Sequence, residues 1–159
     1  MEGAEWLGRL EQDLRSATSV VLASLAFDEP SARTGLQQRL GSKACSVEIF
    51  VDKTERDKGT ARFQRASLQS LMDLGAVVRL CSGKPRSSVF GDSARGRGAF
   101  HKKLTVVDKK ILYVGSANCA KQSRCNDEIM VRLMGPKAMT ALDGLASARD
   151  SSVLMGAGA

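Results

Sequence analysis

The sequence predicts an α/β domain built on a largely parallel sheet, and three observations carry that reading. Apolar, β-branched runs recur at residues 19–27, 46–52 and 76–81, each too apolar for a strand with one wet face. Segments of helical periodicity separate them, and strand-helix-strand-helix-strand order at these lengths favours parallel pairing through crossover helices. Hydrophobic content of 43% and charged content of 26% are those of a folded soluble chain, not a disordered one. At 159 residues the chain is long enough for one domain with a real core, assigned to residues 1–150, with 151–159 as a flexible tail.

The elements follow in order. Trp6, Leu7, Leu10 and Leu14 recur at helical spacing and predict an amphipathic first helix. The first strand, 19–27, is broken by Asp28, Glu29, Pro30 and Ser31, with Ser31 as the cap of a helix running through ARTGLQQRL. SVEIFVD is the second strand, and the polar TERDKGTAR after it reads as a mobile loop. In FQRASLQSLMDLG, Phe63, Leu68, Leu71, Met72 and Leu74 lie mostly on one helix face, and Gly75 stops the helix. AVVRLC is the third strand. Later, EIMVRLM alternates as a last strand should, Pro136 opens a closing helix over PKAMTALDGLASAR packed by Met139, Leu142 and Leu145, and SSVLMGAGA reads as a frayed end.

Between these lies FHKKLTVVDKKILYVGSAN, which holds the only histidine of the chain. LTVV and ILYV flank the polar triplet Asp108, Lys109, Lys110, which predicts two antiparallel strands joined by a tight turn. Strand alternation puts His101 and Lys103 on one face, while Ser116 and Asn118 follow Gly115 in a turn that can fold back beside them. An imidazole, an ammonium, a hydroxyl and a carboxamide converging on a small volume suit a phosphate: a nucleophile or general base, a compact cation and two neutral donors.

The spacing His101-x-Lys103-x4-Asp108-x6-Gly115-Ser116-x-Asn118 would arise by chance on the order of once in 10^8 starts. It resembles the HKD motif of the phospholipase D superfamily in its single-motif form. The resemblance implies a phospholipase D-like α/β/α sandwich, its mixed, largely parallel sheet flanked by helices. It implies a phosphodiesterase that uses neither metal nor cofactor and works through a phosphohistidine. His101 would be the nucleophile, Lys103 and Asn118 would hold the non-bridging oxygens, and Ser116 would assist them. Asp108 would support the motif rather than touch substrate, and Glu128 would orient the histidine. No second motif is visible, and one imidazole cannot easily serve as both nucleophile and proton donor, so a symmetric homodimer with one composite site is expected.

The formal net charge of +7 favours an anionic partner. Residues 82–99 concentrate Lys84, Arg86, Arg95 and Arg97 against Asp92 alone. This stretch reads either as a solvated loop or, with Lys102, as a basic lip that binds the phosphates of a nucleic acid or a phospholipid. Aromatic residues there are few, Phe90 and Phe100, which gives base stacking no support. Both substrates therefore stay open, an endonuclease or a hydrolase of the cardiolipin type. Two other readings are a non-catalytic module for anionic ligands and one half of a double-motif enzyme. Cys45, Cys81, Cys119 and Cys125 form no C-x2-C pair, which argues against zinc, and nothing marks them for disulfides. No signal peptide or transmembrane run is expected, so the protein reads as intracellular, soluble or peripheral to a membrane.

Overall fold

The computed structural model describes residues 1, 5–53, 62–91 and 95–156. The polar loop expected at 54–62 falls almost wholly outside this range, as do Asp92 and the last three residues. Helix α1 (Glu5–Leu14) buries Trp6, Leu7, Leu10 and Leu14, the stripe the periodicity marks. Then come β1 (Ser19–Ser24), α2 (Pro30–Gly41), β2 (Ser46–Asp52), α3 (Arg62–Met72) and β3 (Val77–Cys81). A short helix α4 (Ser87–Phe90) precedes the hairpin β4 (Leu104–Val107) and β5 (Ile111–Gly115). The chain closes with β6 (Met130–Met134), α5 (Lys137–Asp143), α6 (Ala146–Ser151) and β7 (Val153–Leu154).

Seven strands form one mixed sheet in the order β6-β5-β4-β1-β2-β3-β7, flanked by helices on both faces as expected. Parallel pairing is confined to β1-β2-β3, which the crossover helices α2 and α3 require. The other pairings are antiparallel, a larger share than the strand-helix run alone foretells, because the hairpin docks on β1 and adds β6 beyond it. Alternation divides the side chains. Val20, Leu22, Ile49, Val51, Val78 and Leu80 pack against α1, α2 and α3, whereas Ala23, Phe50, Cys81 and Val106 face α5 and α6.

Four local expectations are corrected. Glu29, not Ser31, caps α2: its carboxylate accepts from the Ser31 amide at 3.2 Å and the Ser31 hydroxyl at 2.9 Å, since Pro30 starts the helix two residues earlier. Phe63 and Leu74 are exposed, and α3 packs through Leu68 and Leu71. The closing helix is two helices, interrupted after Gly144 by Leu145, which is fully buried among Ala23, Phe50, Cys81 and Phe100. Residues 153–154 are not frayed but pair with β3 as β7, and the Met155 amide donates to the Val78 carbonyl at 2.9 Å. Among the described residues no helix is long and apolar enough to cross a membrane.

Ion pairs tie the layers together. On the α6 side, Glu48 accepts from Arg149 at 2.7 Å and from Arg79, and both guanidiniums lie over the Phe50 ring. On the other, Asp13 of α1 accepts from Arg132 of β6 at 2.8 Å and from the Tyr113 hydroxyl of β5. Burial pushes each carboxyl up, but the hydrogen bonds and charges of these partners outweigh it and hold Asp13 and Glu48 below their ordinary 3.8 and 4.5. A carboxylate depressed on folding stabilises above its unfolded value and loses that contribution as pH falls through its folded one. The urea midpoint should therefore hold steady from neutral pH down to about 5 and drop below 4.5. A midpoint that rises on acidification would show that these pairs do not stabilise the fold.

Candidate active site

The hairpin that carries the motif is held by β1 along its length. At the turn, Asp108 and Lys109 adopt left-handed backbone, with φ of 52° and 56°, and the Lys110 amide donates to the Val107 carbonyl at 3.1 Å. Aspartate tolerates that conformation better than most residues. Its Oδ1 accepts from the Thr18 amide at 2.7 Å, the Thr18 hydroxyl at 2.8 Å and the Ser19 amide at 2.8 Å, fastening the turn to the start of β1. Burial pushes this carboxyl up, and the three donors outweigh it, so Asp108 lies below its usual 3.8.

At the other end, residues 101–103 approach β4 in an extended run just outside the strand. The Lys103 ammonium lies 2.9 Å from His101 Nδ1 and 3.1 Å from Nε2. The imidazole is exposed and the ammonium half-buried. Desolvation lowers the Lys103 pKa below 10.5, against the opposing charge of Glu128. Asp52, buried at the end of β2, accepts the Phe100 amide and so holds the backbone immediately before His101.

Ser116 and Asn118 are placed by two crossings. A Cβ at Gly115 would stand 2.0 Å from the Ile129 carbonyl oxygen, so only glycine lets the chain before β6 pass this close. The Ser116 amide donates to that carbonyl at 3.0 Å, and its hydroxyl donates to Glu128 Oε2. Asn118 Oδ1 accepts from the Leu25 amide at 3.1 Å, leaving Nδ2 without a protein partner among the described residues. Ser24, buried at the end of β1, accepts the Cys119 amide at 2.9 Å and holds this turn from beneath. The 3-10 turn Lys121–Arg124 is secured by Arg124 on the fully buried Glu29.

The structure thus brings His101, Lys103, Ser116, Asn118 and Glu128 to one end of the sheet and puts Asp108 at the far end as a support. Glu128 arrives differently from the expectation. Both its oxygens are engaged, by Ser116 and by Asn126 Nδ2 at 3.1 Å, and not by the imidazole. Lys102 also departs from the substrate-binding reading: its ammonium donates to the Gly144 carbonyl behind α5, because alternation turns it away from its neighbours. Lys84, Arg86, Arg95 and Arg97 are exposed on an arm whose base is a short ladder, Gly83 to Gly98 at 2.8 Å and Arg86 to Gly96 at 2.9 Å. Ser24 and Asp52 were not singled out by sequence reasoning, although each is a polar residue closing an apolar strand. Of the cysteines, Cys81 and Cys119 are buried, Cys45 is half-buried and Cys125 is exposed.

Strand order, hairpin and the polar group at its open end define a phospholipase D-like domain, and the chain belongs to the phospholipase D superfamily. The family model described as cardiolipin synthase, phospholipase D-like domain, matches residues 10–147. Among solved structures the chain is similar to Nuc of Salmonella typhimurium, a phospholipase D family member, with 20% identity and a TM-score of 0.74 over 93% of this chain and 89% of that one. NucT of Helicobacter pylori gives 20% identity and 0.77 over 94% and 90%. Phosphatidylserine synthase of Haemophilus influenzae Rd KW20 gives 14% and 0.65, with 97% of this chain covering only 38% of that one. No curated protein sequence matches the chain.

Asp108→Ala should lower unfolding stability by about 2 kcal/mol, since it removes a charged acceptor from three donors at once. Asp108→Asn, which keeps an acceptor and tolerates the turn, should lose less; equal stability of all three proteins by urea titration would show that the anchor is dispensable.

Proposed function

We propose that the chain is a phosphodiesterase that cleaves through a phosphohistidine at His101 and needs no metal. The observation that carries this is the meeting of the lone imidazole with Lys103 at 2.9 Å, beside an Asn118 whose oxygen is tied down and whose amide nitrogen has no partner among the described residues. An ammonium that donates to a ring nitrogen occupies a lone pair. When a phosphodiester enters, Lys103 transfers that hydrogen bond to a non-bridging oxygen, and the freed nitrogen attacks phosphorus. The N–P bond forms, the P–O bond to the leaving alcohol breaks, and that oxygen takes a proton from a second acid. Water then forms the new P–O bond as N–P breaks, delivering its proton to the same group. Lys103 and Asn118 Nδ2 stabilise the charge on the phosphoryl oxygens. Glu128 acts through Ser116 and on the Lys103 charge.

The second acid is His101 of another copy, in a symmetric homodimer with one shared site. A phospholipid of the cardiolipin type or a nucleic acid would supply the phosphodiester, and the exposed cations of the arm, Lys84, Arg86, Arg95 and Arg97, suit either.

Hydrolysis of bis(p-nitrophenyl) phosphate should persist in EDTA, fall at least about 1,000-fold in His101→Ala, and travel with the dimer mass by light scattering. Acid-labile phosphate on quenched wild type would identify the intermediate. Full activity in a monomer would defeat the shared site, and a folded but inactive protein would point to a binding module or an orphaned half-enzyme. Because Lys103 loses its proton below 10.5, the alkaline limb of kcat/KM should begin below that pH and disappear in Lys103→Arg. A limb unchanged in that variant would assign it to another group.

A further inference from the structure

The C-terminal ends of β2 and β3 carry a small cavity of about 220 Å³, lined by Lys53, Leu80, Ser82, Arg97, Ser151 and Val153. Two cations from separate segments meet there, and no acidic side chain lines it among the described residues. Lys53 has no hydrogen-bond or ion-pair partner among the described residues, and the acid beside it in sequence, Asp52, has one oxygen on the Phe100 amide. Arg97 is oriented by its own backbone ladder: Nε donates to the Gly83 carbonyl at 2.9 Å, which leaves both terminal nitrogens of the guanidinium. The Ser151 hydroxyl proton is committed to the Ser147 carbonyl at 2.8 Å, so the available donors are Lys53, Arg97 and Ser82. Leu80 and Val153 supply an apolar floor, which strengthens any charge interaction above it. A fork-shaped cation, a point cation and a hydroxyl over such a floor match a tetrahedral oxyanion.

Its position gives the cavity a role. Asp52 pairs with Cys81 in the parallel ladder, so Lys53 and Ser82 leave the sheet side by side, at the end where Phe100 introduces His101. Arg97 precedes His101 by four residues, which limits their Cα separation to about 14 Å even on a fully extended chain. We propose that Lys53, Arg97 and Ser82 form a subsite for a second phosphodiester of the same substrate molecule, next to the one that His101 attacks. The inference rests on the function proposed above, and it narrows the substrate to molecules that carry at least two phosphodiesters. A nucleic-acid strand and a two-phosphate lipid share that chemistry.

The test compares Lys53→Ala, Ser82→Ala and the double variant Lys53→Ala/Arg97→Ala on substrates with one and with several phosphodiesters. Loss of kcat/KM on a short single-stranded oligonucleotide, or on cardiolipin in phosphatidylcholine vesicles, should exceed the loss on bis(p-nitrophenyl) phosphate by about tenfold or more, chiefly in KM. Which of the two shows the difference names the source of the phosphate. Equal losses on all three substrates, or none on either polyanion, would overturn the subsite. Binding is read separately in the His101→Ala background, by anisotropy of a fluorescein-labelled oligonucleotide and by sedimentation with the same vesicles. There the double variant should weaken at least one of the two and flatten its salt dependence by about one to two charges. Unchanged binding to both would overturn the subsite whether or not the wild type proves to be an enzyme.

Discussion

The antiparallel docking of one hairpin against the central strand is the interaction on which the rest depends. Strand β1 pairs with β4 through Val20, Val21, Leu22 and Ala23, and both ends of that contact are closed by polar side chains. Asp108 grips the start of β1 at one end, and Asn118 grips its exit at the other. Between them the hairpin has little freedom to slide, because a slip of one residue would exchange the side chains of the two sheet faces. A rigid strand pair is a good place to mount chemistry that needs fixed distances, and the exposed His101 and the half-buried Lys103 emerge immediately before it.

Much of this was legible in the sequence where the signal is local. The buried β-branched runs, the Asp108 turn and the fixed spacing of the motif each state a short-range preference, and each appears as read. What escaped reading depends on partners distant in sequence. Glu128 was placed in the site by its position after the motif, yet its oxygens are claimed by Ser116 and Asn126, a matter of how β6 crosses Gly115. Leu145 breaks a helix that periodicity makes continuous, because a pocket between Phe50 and Phe100 takes its side chain. Asp52 and Ser24 are polar ends of apolar strands, and their acceptors find donors about 50 and 95 residues away. No local rule anticipates such pairs. Strand β7 is two residues long and carries no periodicity at all; only the open edge of β3 explains it.

The charges divide by function. Asp13, Glu29 and Glu48 are each spent on arginines that join one layer to another. The exposed cations of the arm meet no such partner among the described residues, so part of the chain's positive charge is left on a surface near the open end of the sheet. That division lets the interior be neutral while the approach to the site remains attractive to anions.

The burial of the thiols has a practical consequence. Desolvation pushes Cys81 up to about 11 and Cys119, beside Asn118, well above the usual thiol range; half-buried Cys45 is raised as well. Thiolate is the reactive species, so electrophiles and oxidants reach the buried Cys81 and Cys119 poorly in the folded protein, and the half-buried Cys45 is less reactive than a free thiol. Cys125 alone is exposed, at the end of the turn that Arg124 secures to Glu29. A single spectroscopic probe can therefore be attached close to the site without altering any residue, and two copies of the chain would report their separation through that one atom.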